Sequence, residues 1–376
     1  MNVVIAPDAF KDCLTASEVA EAMKEGVLSV DHSAQCHIIK ASDGGEGFLQ
    51  AVATYISVVK PITTKTVDPL GREITATYLY DGDKKTAYIE LAQASGLELL
   101  SETDRNPMIT STYGTGLQIK HAIALGAVSI YIGIGGSATN DGGTGLAHAL
   151  GYHFFDSEGN SLKPTGSNLH KISKITKPDP AHQNIEFYAV NDVLNPLFGD
   201  SGAAFTYARQ KGAGDHEIIL LNDGLVHLDK VISGQWNLHE AETPGSGAAG
   251  GTAFGLKCFF GARYISGAKF ILTLSNFETL LKKEKIDLIL TGEGKIDHQT
   301  AFGKFVFGIA QEAKRTQIPV VAVCGKLDAS PSEVKNIGLH MALQIYDPKQ
   351  PPGYSYEHAA ELVTSKTNLA LKQILQ

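Results

Sequence analysis

The sequence contains little cysteine, and its few cysteines lie far apart. They form neither a CxxC pair nor a His/Cys spacing typical of a metal site, which argues against a disulfide scaffold and against a zinc centre. We therefore expect reduced thiols in a cytoplasmic protein, with Cys258 and Cys324 packed in apolar runs of the core. The cysteines are Cys13, Cys36, Cys258 and Cys324.

Positive charge and long apolar runs are also lacking. The formal net charge of -8 argues against a nucleic-acid or anionic-membrane surface. No apolar run approaches the length of a membrane span, and Met1 leads into a strand pattern without a basic leader. We expect small-molecule partners, no nucleic acid, no membrane, and a monomer or homodimer. A small anionic ligand stays compatible with this charge, because such a site uses local donors.

The sequence does contain enough apolar material for a folded core. With 376 residues, 43% of them hydrophobic and 19% charged, it is typical of a globular protein with two or three domains. Apolar runs typical of buried parallel strands alternate with helical patterns near both ends of the sequence. These runs are 2–6, 36–40, 286–290, 319–324 and 342–346.

A different pattern lies between the two ends. Residues 63–67, 74–80 and 87–91 alternate in polarity or are β-branched, and turn residues separate them, which predicts an antiparallel meander. We therefore predict an α/β fold with a Rossmann-like parallel-sheet domain made from both chain ends and an inserted domain with a mixed sheet. The predicted bounds are 1–62 with 284–376 for the first domain and 63–283 for the second.

The most informative stretch is SIYIGIGGSATNDGGTGLAHALG, residues 129–151. A strand pattern leads into glycines and polar side chains, and a helical pattern follows. A strand, a glycine turn and a helix start bring N–H groups and the positive end of a helix dipole together, which suits a phosphate. A tight turn needs one Asn or Asp, so the density of polar groups favours a ligand. The polar residues are Ser137, Thr139, Asn140 and Asp141.

Two other interpretations of this stretch stay open. One is a tight turn without a ligand. The other is a dinucleotide-binding fingerprint, because Gly133, Gly135 and Ala138 fit G-x-G-x-x-A, and Asp156 follows about 20 residues later. That fingerprint requires small residues that lead directly into a helix, whereas the polar residues 139–141 intervene here.

Polar turns follow other predicted strands as well. Asp8 and Lys11 come after the first strand, and Ser42 and Asp43 begin a polar glycine turn, SDGGEG, after the second. Turn and capping chemistry alone explains such residues. Two turns of this kind at successive strand ends nevertheless favour a shared ligand edge, because open α/β sheets bind ligands at the carboxyl ends of their strands.

The second half of the sequence carries four more candidate segments. Asn191 and Asp192 end a strand, where a carboxylate suits a Mg²⁺ ligand or a general base as well as an Asx turn. Lys211 stands in a glycine-flanked basic segment that suits a phosphate contact. Residues 244–251, PGSGAAGG, require a close backbone approach, either to a ligand or between packed helices. The turn TGEGKID, residues 291–297, follows another buried strand.

Taken in order, these segments resemble the bacterial glycerate kinases of the type I family. The resemblance extends from residue 3 to roughly residue 325. It implies an ATP- and Mg²⁺-dependent kinase that phosphorylates glycerate, commonly at the 2-hydroxyl. The motifs that carry it are APDAFK (6–11), SDGGEG (42–47), GTG (114–116), IGIGGSATNDGGTG (132–145), NDVLNPL (191–197), QKGA (210–213), PGSGAAGG (244–251) and TGEGKIDHQT (291–300).

Phosphoryl transfer to an alcohol needs donors around the phosphates, a metal, a cation near the transferred group and a carboxylate near the hydroxyl. The residues and the resemblance together lead to four sets of predicted roles. The catalytic residues are Asp192, Lys11 and Asp43. The nucleotide- and phosphate-binding residues are Gly135, Gly136, Ser137, Thr139, Asn140, Gly292, Glu293, Gly294 and Lys295. The substrate-binding residues are Asp8, Lys11, Ser42, Lys211 and Asp297. The metal ligands are Asp141, Asp192 and Glu293.

Several alternatives stay open at this point. Asp192 is either the base or a metal ligand, and we favour the base because other acids stand beside phosphate-type glycine turns. The protein can also be a NAD-dependent oxidoreductase of a small hydroxy acid, or a non-catalytic regulator that binds a sugar acid. We favour a kinase over a regulator, because a regulator has no need of so many carboxylates at strand ends. The resemblance implies 2-phosphoglycerate as the product of that kinase, with 3-phosphoglycerate as the open alternative.

Overall fold

The computed structural model describes residues 1–10, 13–40, 45, 47–178, 184–297, 300 and 305–375. Three residues that the sequence predicts to be site residues lie outside this described part of the chain. They are Lys11, Ser42 and Asp43.

The strands are numbered in chain order. They are β1 Asn2–Pro7, β2 Gln35–Ile38, β3 Lys60–Val67, β4 Glu73–Asp81, β5 Thr86–Glu90, β6 Ser129–Gly133, β7 His153–Phe155, β8 Lys174–Thr176, β9 Glu186–Val190, β10 Arg263–Ile265, β11 Leu288–Gly292, β12 Lys295–Ile296, β13 Val320–Cys324, β14 Lys326–Leu327 and β15 Met341–Gln344.

The helices are numbered in the same way. They are α1 Ala16–Leu28, α2 Phe48–Tyr55, α3 Ala92–Ser95, α4 Tyr113–Ala124, α5 Thr144–Ala149, α6 Ala203–Tyr207, α7 Asp215–Trp236, α8 Ala248–Phe260, α9 Gly267–Leu274, α10 Phe277–Lys283, α11 Phe305–Lys314, α12 Pro331–Ile337, α13 Tyr354–Glu357 and α14 Ala359–Ile374. None of these described helices has the length and apolarity that a membrane span needs.

Contacts divide the chain into two compact units. We call residues 1–42 with 267–376 the terminal unit and residues 43–266 the central unit. These bounds differ from the predicted 62/63 and 283/284, because α2 packs on β5 and α9 packs on α11. The predicted division into folding domains stays a prediction.

The terminal unit contains a parallel sheet with the order β15-β13-β11-β1-β2. In its centre, Val4 lies opposite Ile289, and Ile289 lies opposite Val320. All residues of β11 and β13 are buried, as expected for a parallel sheet that is covered on both faces. Among the helices, α1 packs on α14. The predicted parallel sheet made from both chain ends is confirmed.

The central unit contains a mixed sheet with the order β10-β9-β6-β5-β4-β3. The strands β3, β4 and β5 form the predicted antiparallel meander, and β5, β6, β9 and β10 continue it in parallel. On one face, Ile130 and Ile132 of β6 belong to a core with Ile119 of α4 and Leu256 of α8. The predicted mixed sheet is therefore confirmed.

The other face of this sheet carries a row of tyrosines. Side chains alternate between faces along a strand, so Tyr131 points away from the side of Ile130 and Ile132. Tyr131 lies opposite Tyr88 on β5 and Tyr188 on β9. Its ring stacks on both neighbours, with centroid distances of 5.4 and 4.4 Å. This stacking reinforces the register of the three central parallel strands.

The cysteines follow the expectation from the sequence. Cys258 and Cys324 are buried, and all four are free thiols. Burial in apolar surroundings raises the pKa of both buried thiols, Cys324 to about 12. Because the thiolate is the reactive form, these two residues act as core side chains.

The first turn of α8 is irregular. Ala249, Gly250 and Gly251 have left-handed backbones with φ of 55°, 65° and 83°, and a regular helix follows. A Cβ atom at Gly250 would overlap the carbonyl oxygen of Thr139. The N–H of Gly142 donates to the carbonyl of Gly250 (3.1 Å). The close approach that the glycine-rich segment predicts is therefore a packing contact with the loop after β6.

We expect Gly250→Ala to destabilise the fold more than Gly261→Ala, which alters the other end of α8. The two glycines have φ of 65° and 67°, so both substitutions carry a left-handed strain of about 1–2 kcal/mol. At Gly261 no described atom lies within 4 Å of the added Cβ. At Gly250 the overlap with a carbonyl adds about 1–3 kcal/mol. Urea unfolding measures both free energies, and equal values would contradict the packing contact.

Candidate functional site

The loop between β6 and α5, residues 134–143, is held by bonds to its carbonyl oxygens. Thr110 Oγ1 donates to the carbonyl of Ala138 (2.9 Å), and Lys211 Nζ donates to the carbonyl of Thr139 (2.7 Å). The donors come from segments far from the loop in sequence. The tertiary fold therefore fixes the loop conformation, in addition to the local turn chemistry of its glycines.

Not all backbone N–H groups of this loop are hydrogen-bonded within the described part of the chain. Among the described residues, no acceptor takes the backbone N–H of Gly135, Gly136 or Ser137. The fully buried side chains of Thr139 and Asn140 add a hydroxyl and an amide that also lack a partner within the described part of the chain. Buried polar side chains such as these two are normally hydrogen-bonded, and together with the N–H groups of residues 135–137 they suit a bound anion.

Asp141 connects the loop to the starts of two helices. Its fully buried carboxylate accepts bonds from the N–H and the hydroxyl of Thr112 (both 2.8 Å). It also accepts the N–H groups of Gly143 and Gly145 (both 3.1 Å). Burial raises the pKa of Asp141, and these four bonds oppose that shift. The four bonds give the carboxylate a structural role, and they disfavour its predicted role as a metal ligand. That role stays a prediction.

Lys211 lies beneath the loop and is only 2% exposed. Its ammonium donates to Ser137 Oγ as well as to the Thr139 carbonyl (both 2.7 Å). Burial lowers the pKa of Lys211 to about 7, and the nearby charge of Asp141 opposes that shift. The predicted phosphate contact of Lys211 stays a prediction, while the described contacts make it a support of the loop.

Asp192 lies at the same sheet edge as this loop. It follows β9, which pairs in parallel with β6, and the N–H of Ile134 donates to the carbonyl of Val190 at the end of β9 (3.2 Å). Asp192 is half-buried. Its neighbour Asn195 is structural, because its amide donates to the Ser201 carbonyl (2.7 Å).

The terminal unit brings a second group of predicted site residues together. Asp8 follows β1, and its N–H donates to the carbonyl of Gly292 at the end of β11 (2.7 Å). Thr300 Oγ1 donates to Glu293 Oε1 (2.7 Å) and accepts the N–H of Asp297 (3.2 Å). Both carboxylates are largely buried. Thr300 therefore links two acidic residues at the carboxyl edge of the parallel sheet, a role that its position in the TGEGKIDHQT motif could have indicated.

Lys295 is held between two carboxylates. Its ammonium lies 3.2 Å from Asp297 and 3.1 Å from Asp328. The bonds to Asp328 and Asp297 raise the pKa of Lys295, and Lys295 and Lys326 lower the pKa of Asp328. Sequence reasoning missed Asp328 and Lys326. The available signal was the repeated pattern Gly-Lys-apolar-Asp at 294–297 and 325–328.

The described site residues thus fall into two groups. The central unit contains Gly135, Gly136, Ser137, Thr139, Asn140, Asp141, Asp192 and Lys211. The terminal unit contains Asp8, Gly292, Glu293, Gly294, Lys295 and Asp297. Within the described ranges, no three His, Cys, Asp or Glu side chains converge as a preformed metal site.

The dinucleotide fingerprint finds no support in the fold. The helix α5 starts only at Thr144, well beyond Ala138. Asp156 accepts the N–H groups of Glu158 (2.9 Å) and Asn160 (2.8 Å), so its carboxylate stabilises the turn after β7. A ribose-binding acid would instead lie at the end of a strand in the parallel sheet.

We expect Lys211→Met to change how stability depends on pH. Between pH 7 and about 10 the unfolded wild-type chain keeps the lysine proton, whereas the folded chain has released it. The free energy of unfolding of the wild type therefore rises with pH over this range, and that of the variant lacks this rise. Well below pH 7 both states keep the proton, so the difference between wild type and variant should level off there.

Urea unfolding at several pH values measures both effects. The exposed Lys230 on α7 provides a matched control, and Lys230→Met should keep the wild-type pH dependence. A constant difference between wild type and Lys211→Met across pH 6–10 would contradict the buried position of the ammonium.

Comparison with known proteins identifies the family. Residues 3–375 match the model of the glycerate kinase family. A glycerate kinase of Halalkalibacterium halodurans is 40% identical over 92% of this chain and 90% of its own length, and the glycerate 2-kinase of Escherichia coli K12 is 38% identical over the same shares. A crystal structure described as glycerate kinase 2 of Salmonella typhimurium LT2 is 33% identical, with a TM-score of 0.79 over 100% of this chain and 98% of that chain. The chain belongs to the glycerate kinase family.

Proposed function

We propose that this chain transfers a phosphoryl group from ATP to D-glycerate, at the 2-hydroxyl, in a Mg²⁺-dependent reaction. Membership of the family makes the chain a kinase, and the proposal concerns its nucleotide, its metal and the hydroxyl that reacts. The name of the Escherichia coli relative, glycerate 2-kinase, supports the 2-hydroxyl. The observation that carries the proposal is the loop after β6, which lies over a buried lysine and contains donors without a partner in the described ranges.

The loop after β6 supplies the donors for an oxyanion. Its N–H groups at Gly135, Gly136 and Ser137, which have no acceptor among the described residues, are suited to phosphoryl oxygens. The amide of Asn140 and the hydroxyl of Thr139 belong to the same loop. Donors that the fold has already fixed need no reorganisation when charge develops on the transferred group. Lys211 contributes from beneath, since its bonds hold the loop in place.

The acidic residues of the terminal unit fit Mg²⁺. Mg²⁺ is usually held by one or two carboxylates together with phosphate oxygens and waters, so a complete protein cage is not required. Glu293 and Asp297 are the candidate carboxylates: Thr300 donates to the carboxylate of Glu293 and accepts the backbone N–H of Asp297. When bound, the metal would neutralise charge on the phosphates. We leave Asp141 out of this set because its carboxylate already accepts four bonds from the protein.

Asp192 is the proposed general base. It lies at the end of β9, at the same edge as the loop after β6, where an acceptor hydroxyl would meet a phosphoryl group held by that loop. Its carboxylate would take the proton of the glycerate hydroxyl during attack. The catalytic roles of Lys11 and Asp43 and the glycerate-binding roles of Lys11 and Ser42 rest on the resemblance of their motifs. A cytoplasmic location and a monomer or homodimer stay predictions.

An assay of ATP consumption tests the function directly. We expect ADP to form only when ATP, D-glycerate and Mg²⁺ are all present. Coupling to enolase distinguishes the products, because 2-phosphoglycerate is an enolase substrate and 3-phosphoglycerate requires a mutase first. An absence of D-glycerate-dependent ADP formation would refute the proposal, and a strict need for the mutase would move the reaction to the 3-hydroxyl.

We expect Asp192→Asn to lower kcat by about 10²–10⁴-fold, because loss of a general base removes a contribution of that size. The KM for ATP and the Mg²⁺ requirement should stay near their wild-type values. Steady-state kinetics with a Mg²⁺ titration measures all three. The exposed Asp200, eight positions further along the chain, offers a matched control in Asp200→Asn. Recovery of activity at high Mg²⁺ would instead make Asp192 a metal ligand.

A further inference from the structure

The terminal unit contains the same four-residue pattern twice. Gly294-Lys295-Ile296-Asp297 follows β11, and Gly325-Lys326-Leu327-Asp328 follows β13. The strands β11 and β13 are neighbours in the parallel sheet, so both segments leave the same edge of it. We call these two segments the GKxD strips. Each one lies where open α/β sheets bind their ligands.

The backbones of the GKxD strips pair with each other. The short strands β12 and β14 are parallel, with Lys295 opposite Lys326. The N–H of Lys326 donates to the carbonyl of Gly294 (3.0 Å), and the N–H of Asp328 donates to the carbonyl of Ile296 (2.8 Å). A Cβ atom at Gly325 would overlap the Gly294 carbonyl, so this pairing requires glycine there. The two strips form one small, fixed platform.

The pattern separates anchoring residues from charged residues. The apolar residue of each strip faces inward, since Ile296 is fully buried and Leu327 is half-buried. Lys295 and Lys326 occupy opposite register positions, so their side chains stand side by side on one face. Their side chains are 52% and 53% exposed. Two ammonium groups are therefore held next to each other at the surface of the platform.

Asp328 lies between the two ammonium groups. Its Oδ2 is 3.1 Å from Lys295 Nζ, and its Oδ1 is 3.1 Å from Lys326 Nζ. Asp297 contacts Lys295 from the other side (3.2 Å). Exposed ion pairs of this kind contribute little to folding, so stability does not explain the arrangement. Its chemical consequence is a fixed pair of cations that would otherwise repel each other.

We infer that Lys295 and Lys326 jointly bind the polyphosphate chain of a nucleoside triphosphate, with Asp328 as the positioning residue that spaces them. The inference rests on the proposed use of ATP and adds two residues to it. Two adjacent ammonium groups can contact several negative oxygens of a polyphosphate at once. A nucleoside has no such oxygens, and a nucleoside monophosphate has only one phosphate to offer. The site should therefore bind a ligand with several linked phosphates more tightly than a ligand with one.

Titration calorimetry with ATP, AMP and inorganic tripolyphosphate tests the inference on the full chain. We expect Lys326→Gln to weaken ATP and tripolyphosphate binding about tenfold, as expected for loss of one charge-assisted contact. AMP binding should change less than twofold. Lys326→Arg should retain much of the affinity because it keeps the charge. The exposed Lys335 on α12 gives a matched control, and Lys335→Gln should bind all three ligands as the wild type does.

Asp328→Asn tests the positioning role. We expect weaker ATP binding and a higher KM for ATP with kcat within about twofold of the wild type, because Asp328 acts on ground-state binding.

The dependence of the ATP Kd on salt tests the charge of Lys326. It should be less steep in Lys326→Gln than in the wild type, since one screened contact is lost. A purely structural role would leave that slope unchanged.

Three outcomes would overturn the inference. If folded Lys326→Gln binds ATP like the wild type, the second strip is not part of the site, although the proposed function stands. If ATP and AMP lose affinity equally, the lysine does not recognise the polyphosphate. If the wild-type chain binds no ATP at all, the proposed function fails together with the inference. Urea unfolding of each variant establishes that the fold is intact.

Discussion

Two buried charges determine the conformation of the candidate site in the central unit. The carboxylate of Asp141 accepts four bonds from the starts of α4 and α5, and the ammonium of Lys211 holds the loop at Ser137 and Thr139. A buried charge is tolerated only where the protein satisfies it with hydrogen bonds, so neither residue can move without a large cost. The loop after β6 is therefore rigid in a way that its glycines alone would not provide.

That rigidity requires unusual backbone conformations nearby. The first turn of α8 packs on the loop through Gly250, and Ala249 takes a left-handed conformation beside it although it has a Cβ atom. A non-glycine residue of this kind carries a strain of about 1–2 kcal/mol. Such strain persists where surrounding contacts over-determine the backbone, which is common at functional sites. Here the over-determined element is the loop after β6, in which the N–H groups of residues 135–137 have no acceptor within the described part of the chain.

The sequence predicted the sheets well because their signals are local. Buried apolar runs marked β11 and β13, and alternation marked the meander of β3, β4 and β5. The partners of individual charges were less accessible, since Asp141 is bonded to Thr112 and Lys211 to Ser137, each far away in sequence. The roles proposed for these residues therefore required the tertiary structure. The GKxD strips were missed for another reason: β12 and β14 are two residues long, below the length at which a periodic pattern is visible.

The two groups of site residues would attract an anion in different ways. In the central unit the candidate donors are backbone N–H groups that the fold holds in place and a buried lysine whose pKa lies near 7, so fixed dipoles would supply much of the attraction. In the terminal unit the GKxD strips carry exposed lysines whose charges are fully formed but screened by solvent and salt. Dipoles that the fold has fixed suit a group whose charge changes during reaction, because they need not reorganise. Exposed cations suit a polyanion that must bind and leave. The loop after β6 is therefore suited to a group whose charge changes, and the GKxD strips are suited to a polyanion that binds and leaves.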